Sequence, residues 1–381
     1  MRVFIIAGEA SGDKLGAALM AGLEAVSPGV EFAGIGGDMM QAHGLESLFP
    51  MDELSLMGIA EVLPKYFHLK RRIRESAAAA LAYKPDVIVT IDAPDFCLRV
   101  AKLVKAERDV KIVHYVAPSV WAWRPGRADK MARVVDHVLA LLPFEPPLMT
   151  RTGMGATFVG HPAVSEQVAS DAEAAEFRAT HGLGEAPVLL ALPGSRSGEI
   201  ARLGPVLAAA LHDIVAEMPD LRLVIPVAPG KQEMVRALVA DWPGAPVLIA
   251  PEAAADKRAA FKAANAALAV SGTVALELAA ADTPMVIAYN LNWLSRLIIK
   301  PLLKTDTFNL VNLVTDSRIV PEFVGDKCRA DLIAPATLAV LRAPDAQRAA
   351  MAQTMRALGQ GGEAPGLRAA RAVLEVVAQG G

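Results

Sequence analysis

The feature that most restricts what this chain can fold into is a series of short, unbroken apolar runs, each followed by a helical pattern. In the first half the runs are Val3 to Ala7, Phe32 to Ile35, Val87 to Ile91, Ile112 to Val116, Val138 to Leu142 and Thr157 to Val159. In the second half they are Val188 to Leu192, Leu221 to Val227, Val247 to Ala250, Ala266 to Val270 and Met285 to Tyr289. A strand with one wet face alternates apolar and polar residues. One that is apolar throughout must be covered on both faces, as in a parallel sheet flanked by helices. The fold class is therefore α/β. The series restarts after a stretch from about Ser165 to His181, which is rich in Glu, Asp and Ala and reads as a connector outside a core. With 381 residues, more than one core of roughly 100 to 200 residues usually organises, the chain reads as two Rossmann-like doubly wound domains facing a cleft. We place them at 1–163 and 164–345, followed by a mostly helical tail over 346–381 that breaks at Gly359 to Gly366.

Composition narrows the function. Hydrophobic residues make up 53% of the chain and charged residues 21%, a globular balance. The net charge of -3 argues against a nucleic-acid partner, whose phosphates need an excess of Lys and Arg. Cys97 and Cys328 stand far apart with no CxxC or His spacing, so no disulfide framework and no zinc site is indicated, and both are expected as reduced thiols. The opening run from Met1 to Gly8 is too short for a signal peptide and reads as a buried strand, which implies a cytoplasmic chain. Ala263 to Ala281, the longest Ala-rich apolar stretch, is interrupted by Asn265, Ser271, Thr273 and Glu277, so no transmembrane span is expected.

In doubly wound sheets ligands bind outside the carboxyl ends of the strands, so the loops after the apolar runs are where chemistry is sought. Gly8-Glu9-Ala10-Ser11-Gly12-Asp13 follows the first run. Its glycine spacing fits neither the dinucleotide fingerprint nor the P-loop. The polar cluster Glu9, Ser11 and Asp13 favours a substrate-facing turn over a plain tight one. Asp92 and Asp95 follow the third run; either can be a general base, and either can cap the next helix, a role we give to Asp95. Ser119, Trp121 and Trp123 follow the fourth run, where aromatic rings can stack on a sugar, pack an acyl chain or simply fill a core. In the second half, Gly194-Ser195-Arg196 joins a strand to a helix start, and an Arg fork beside helix amides suits a diphosphate. Ser271-Gly272-Thr273 repeats the design, with Glu277 either accepting ribose hydroxyls or complementing the helix dipole. Lys304 to Asp306 and Asn309 to Asn312 read locally as loop.

In this order the segments resemble the bacterial lipid-A-disaccharide synthase family of inverting GT-B glycosyltransferases. The landmarks are Gly8 to Asp13, Met57 to Leu63, Asp92 to Phe96, Pro118 to Arg124, Leu142 to Glu145, Val159 to His161, Pro193 to Arg196, Ser271 to Thr273 and Lys304 to Asp306. The resemblance implies transfer of 2,3-diacylglucosamine from UDP-2,3-diacylglucosamine to the 6-hydroxyl of 2,3-diacylglucosamine 1-phosphate (lipid X). The products are a β-1,6 disaccharide phosphate and UDP. It implies Asp92 as base, Asn312 as a donor-site or catalytic group, Arg196 at the diphosphate, and Glu277 with the Ser271 to Thr273 turn at the nucleotide. It also implies a tail that crosses back to the first domain, and it leaves room for a homodimer. Cys97 stands where the family pattern has Asn, Ala117 where it has Ser, Asp38 where it has Pro, and Val311 where it often has Pro. Competing readings are a UDP-sugar epimerase or a peptidoglycan-type N-acetylglucosaminyl transferase of the same fold, a binding protein without chemistry and, more weakly, an NAD-linked oxidoreductase.

No cofactor and no metal are expected, because no His or carboxylate cluster has ligand spacing. Acylated substrates imply a peripheral enzyme on the cytoplasmic face of the inner membrane of a Gram-negative cell. Two segments mix apolar and basic residues as a surface facing anionic lipid would: Met57 to Arg74 and Asn292 to Lys304. In the first, Phe67 and Leu69 are expected to enter the interface.

Overall fold

The computed structural model describes residues 1–54, 59–124, 126–244, 246–290 and 305–379, with backbone alone for 59–66. The chain divides into two units: Met1–Ser165 with Leu358–Gly381, and Glu166–Ala357.

The first unit is a six-stranded parallel sheet built from β1 (Arg2–Ala7), β2 (Glu31–Ile35), β3 (Val87–Ile91), β4 (Lys111–Tyr115), β5 (His137–Ala140) and β6 (Gly155–Phe158). Its spatial order is β2-β1-β3-β4-β5-β6. Val87 to Ile91 are fully buried or nearly so, as a run with no polar face requires. Between the strands run α1 (Ala10–Val26), α2 (Asp38–Gln41), α3 (Ile59–Tyr83), α4 (Pro94–Glu107), α5 (Gly126–Met131) and α6 (Pro146–Thr150).

The second unit has β7 (Val188–Leu192), β8 (Arg222–Pro226), β9 (Val247–Ile249), β10 (Ala266–Ala269), β11 (Met285–Tyr289) and β12 (Glu322–Val324), again all parallel, in the order β12-β11-β10-β7-β8-β9. Its helices are α7 (Asp171–Thr180), α8 (Ser197–Glu217), α9 (Gln232–Leu238), α10 (Ala254–Ala263), α11 (Val274–Ala280), α12 (Leu310–Val314), α13 (Ala330–Arg342) and α14 (Asp345–Ala357).

The stretch read as an outside connector is part of this unit. Ser170 and Glu173 form a reciprocal capping box that starts α7. Phe177 on its inner face is 4% exposed, and the Arg178 guanidinium donates to the carbonyls of Gly184, Ala186 and Ala263. The polar composition marks the outer face only.

The tail also divides differently from the 346–381 reading. α14 stays with the second unit, because the buried Gln347 amide donates to the carbonyl of Met285 and accepts from its N–H. Only the last helix, α15 (Pro365–Ala378), packs in the first unit, with Ala369, Ala370, Val373 and Val376 in its core. Two glycines allow the close crossing of α15 over α1: a Cβ on Gly22 would stand 2.5 Å from the Gly366 carbonyl oxygen, and one on Gly366 would stand 2.3 Å from that of Ala18. Arg368 then donates to the Phe158 carbonyl at 2.7 Å. Among the described residues no helix is long and apolar enough to cross a membrane.

Candidate active site

The strand orders single out one candidate position in each unit without reference to any side chain. In the first unit the winding reverses between β1 and β3, and in the second between β7 and β10. Ligands collect at such switch points, where the loops on either side leave a crevice. The four loops involved are those that begin at Gly8, Asp92, Pro193 and Val270.

In the first unit the two loops touch. A Cβ on Gly8 would lie 2.7 Å from the Ala93 Cβ, so only glycine lets the β1 and β3 turns come this close. Asp92 and Ala93 both take left-handed conformations, with φ of +50° and +41°, each costing on the order of 1 kcal/mol or more and held in place by its surroundings. The Asp92 N–H donates to the Tyr115 carbonyl at 3.1 Å, which extends the β3 to β4 ladder by one step. This fixes the half-buried Asp92 side chain at the sheet edge, and among the described residues its carboxylate has no hydrogen-bond partner. Asp95 does not cap α4: the N-cap is Ala93, without a side-chain bond, and Asp95 is an exposed first-turn carboxylate.

The Gly8 to Asp13 loop splits in two. Asp13, expected to face substrate, is 5% exposed and turned inward. It accepts from the N–H groups of Gly37 at 2.8 Å, Met39 at 3.0 Å and Met40 at 3.1 Å. It therefore neutralises the free amides at the start of α2, a use of a carboxylate favoured by the helix dipole. Gly12 is pressed against β3, where a Cβ would lie 3.5 Å from Ile91 Cγ2. Half-buried Glu9, at the N-cap of α1, and exposed Ser11 face outward.

The loop after β4 carries a further strained residue, Val116 at φ +83°. For a β-branched side chain that is a true outlier. Beyond it, the half-buried Ser119 accepts at its carbonyl from Ala122 and Trp123. Trp121 lies edge-on to Phe144, with centroids 5.7 Å apart, and donates Nε1–H to Glu145 Oε1 at 3.3 Å. Trp123 lies beneath the guanidinium groups of Arg124 at 4.7 Å and Arg127 at 5.6 Å. Both tryptophans thus have protein partners on one side. Glu145, within the Leu142 to Glu145 landmark, is the partner that holds Trp121. It is 4% exposed, accepts also from the Leu142 N–H at 3.0 Å, and burial pushes its carboxyl up to about 7.

In the second unit the β7 turn passes through Gly194 at φ +118° and delivers exposed Ser195 and Arg196 to the start of α8. Arg196 pairs with Glu199 at 3.1 Å, and Lys231 donates to Ser197 Oγ at 3.0 Å. After β10, Ser271 is half-buried while Gly272 and Thr273 are exposed. Glu277, on α11, pairs through Oε2 with Lys257 Nζ at 2.6 Å. No sequence pattern announces that partner, which comes from α10.

Asn312, expected to touch substrate, is 0% exposed. Its amide nitrogen donates to the Val320 carbonyl and to Glu322, each at 2.9 Å, and its oxygen accepts from the Val320 N–H. Glu322 also accepts from Thr307 and from the N–H of Phe308. The amide is thus committed to holding the 305–312 segment against β12. Of the neighbouring landmark, Lys304 lies outside the described residues, while Asp306 pairs with Arg318. Among the described residues no cluster of three or more His, Cys, Asp or Glu could hold a metal.

The family model described as Lipid-A-disaccharide synthetase matches residues 3–374. This chain belongs to the lipid-A-disaccharide synthase family. The lipid-A-disaccharide synthase of Ruegeria pomeroyi is 61% identical to it over 98% of this chain and 95% of the relative, and that of Rhodospirillum centenum is 46% identical over 98% and 94%. Among solved structures, the UDP-GlcNAc 2-epimerase from Neisseria meningitidis bound to UDP-GlcNAc superposes with a TM-score of 0.62 at 11% identity, covering all of both chains. The UDP-GlcNAc 2-epimerase of Methanocaldococcus jannaschii, in complex with UDP-GlcNAc and UDP, gives 0.61 at 13% identity over 99% of this chain and 100% of that one. At that identity the likeness is one of fold, the two-domain α/β fold of GT-B type.

Within the lipid-A-disaccharide synthase pattern, three of the four departures have local explanations. Cys97 is 0% exposed behind Asp92, and burial together with the Asp92 charge pushes its thiol up, so it is an inert filler. Val311, in place of Pro, has an N–H, and this donates to Asn309 Oδ1 at 2.8 Å in the cap of α12. Ala117 is 4% exposed and, unlike Ser, brings no hydroxyl to satisfy there.

Proposed function

We propose that this chain transfers 2,3-diacylglucosamine from its UDP derivative to the 6-hydroxyl of 2,3-diacylglucosamine 1-phosphate, with inversion at the anomeric carbon. The observation that carries the reading is the Asp92 carboxylate. It is set on a strained strand end beside a switch point and is without a hydrogen-bond partner among the described residues. A carboxylate without a protein partner is available to accept a proton when the acceptor arrives. Asp92 takes the proton of the acceptor hydroxyl as that oxygen attacks the anomeric carbon. The bond from that carbon to the diphosphate oxygen breaks, and UDP leaves carrying the electron pair. Arg196, with the amides at the start of α8, stabilises the charge that develops on it, since a guanidinium fork matches phosphate oxygens and does not titrate away. The Ser271 to Thr273 turn and Glu277 hold the nucleotide. Glu9 and Ser11 face the acceptor, together with Ser119, Trp121 and Trp123, while Asp13 and Asn312 act one step back as positioning residues.

No metal enters this scheme. UDP release from UDP-2,3-diacylglucosamine that depends on the acceptor phosphate and persists in chelator is the expected result. Release that ignores the acceptor, or that needs Mg²⁺, contradicts it.

For the membrane side we propose a peripheral surface on the cytoplasmic leaflet. Phe67 is 82% exposed and so presents an aromatic ring to the surroundings. Leu69, by contrast, packs against the first unit's core, so it does not enter lipid. Met57 and Gly58, the side chains of 59–66, and the whole of Asn292 to Lys304 lie outside the described residues. Phe67→Ser should weaken sedimentation with anionic vesicles at low salt and leave UDP affinity intact; equal sedimentation of mutant and wild type removes Phe67 from the docking surface.

A further inference from the structure

We infer that Lys257 is a positioning residue for nucleotide selection: it fixes one oxygen of Glu277 so that the other accepts from a ribose hydroxyl. This rests on reading Glu277 as the ribose acceptor.

The geometry has three parts. Lys257 Nζ donates to Glu277 Oε2 at 2.6 Å, while Oε1 has no hydrogen-bond partner among the described residues. The lysine itself is steadied, since its ammonium lies 5.2 Å from the ring centroid of Phe261, one turn further along α10. A cation over an aromatic face loses less freedom on binding because part of its order already exists. The ring, in turn, cannot drift. Phe261 is 3% exposed, and its carbonyl accepts from the fully buried Thr283 hydroxyl at 2.6 Å, just beyond the end of α11. That bond locks α10 to α11, and so the lysine to the carboxylate it addresses.

Two ordinary explanations of the pair fit less well. A first-turn glutamate can fold back onto its own helix amides, but here the carboxylate is turned away to a different helix. The pair is also too exposed, at 43% and 30%, for an ion pair to add much to folding. What the arrangement does provide is a carboxylate with one oxygen held and one presented, the state a ligand hydroxyl needs.

Calorimetry with UDP and 2′-deoxy-UDP on the full-length protein tests this. Wild type should prefer UDP by about tenfold or more, the scale of a hydrogen bond to a charged group, and E277Q should lose most of that preference. K257M and K257Q should lose UDP affinity by about the same factor while 2′-deoxy-UDP affinity barely changes, so that their ratio falls toward that of E277Q. K257R should keep most of the preference. The donor KM should rise in K257M with kcat nearly unchanged. A wild-type ratio in K257M and K257Q, or an equal loss for both nucleotides, overturns the inference, the latter because it marks a diffuse charge effect. So does a collapse of the melting temperature in both variants, since the pair would then be structural. If E277Q itself keeps the wild-type ratio, the ribose reading of Glu277 is what fails.

Discussion

The two units use the same parts, a six-stranded parallel sheet and its helices, yet they hold their functional groups in opposite ways. The first winds as β2-β1-β3-β4-β5-β6 and puts non-glycine residues into left-handed backbone at its strand ends, at Asp92, Ala93 and Val116. The second winds as β12-β11-β10-β7-β8-β9 and turns its switch-point corners with glycine, Gly194 after β7 and Gly272 after β10. The contrast fits the roles proposed for the two sites. A base has to stand at one fixed point, and a strained corner held by its neighbours gives that fixity. A phosphate is held by several amides and a guanidinium, and a glycine turn lets the backbone itself approach.

The largest expected effect breaks this contrast at the base. Asp92→Asn keeps the volume, the left-handed tolerance and the strand-end hydrogen bond but cannot take a proton. Turnover should fall by about 100-fold or more, while UDP affinity by calorimetry stays at the wild-type value because nothing in the second unit changes. A folded Asp92→Asn protein with near-normal turnover removes Asp92 from the mechanism.

Arg196→Ala is the reciprocal change, and its effect should be smaller. Other groups remain at the α8 start, namely its amides, Ser195, Ser197 and Lys231, so UDP binding should weaken by about tenfold. Glu199, left without its 3.1 Å partner, adds like-charge repulsion toward a diphosphate. An unchanged UDP affinity would move the diphosphate site elsewhere, and a loss confined to acceptor KM would assign Arg196 to the other substrate.

How far the sequence led follows the same division. Each apolar run became a strand within one or two residues at either end, because burial on both faces writes itself into a continuous pattern. β12 left no such mark, since Glu322, Phe323 and Val324 form a three-residue edge strand that is half-buried throughout. Loop residues could be named but not aimed. Asp13 and Asp92 look alike in sequence, yet the amides that claim Asp13 lie 24 to 27 residues away, and only the fold brings them there. Asn312, which the family resemblance puts at the donor site, is enclosed. Lys257 and Glu145 carry no mark in the sequence because their partners are 20 and 24 residues distant, on other elements.

The smallest effect sharpens the comparison through pH. His114 is 1% exposed, with Thr90 Oγ1 2.7 Å from its Nδ1, and burial lowers it to about 4 from 6.5. Glu145 is raised by burial to about 7 from 4.5. For His114 the unfolded chain binds more protons between those values, so its contribution is present above pH 6.5 and is lost as pH falls toward 4. For Glu145 the folded protein binds more, so its contribution is present below pH 4.5 and is lost as pH rises through 7. In the window they share, the two slopes oppose each other, while His137, also lowered by burial, adds to the His114 side. Glu145→Gln keeps an acceptor for Trp121 and removes one of the two slopes. The melting temperature of Glu145→Gln relative to wild type should therefore climb as pH rises from 4.5 to 7, by at most about 1.4 kcal/mol per pH unit in stability. A difference that stays flat across this window would mean that the Glu145 carboxyl is ionised in the folded protein. It would then be a negative charge, not a neutral acid, that meets the Trp121 indole.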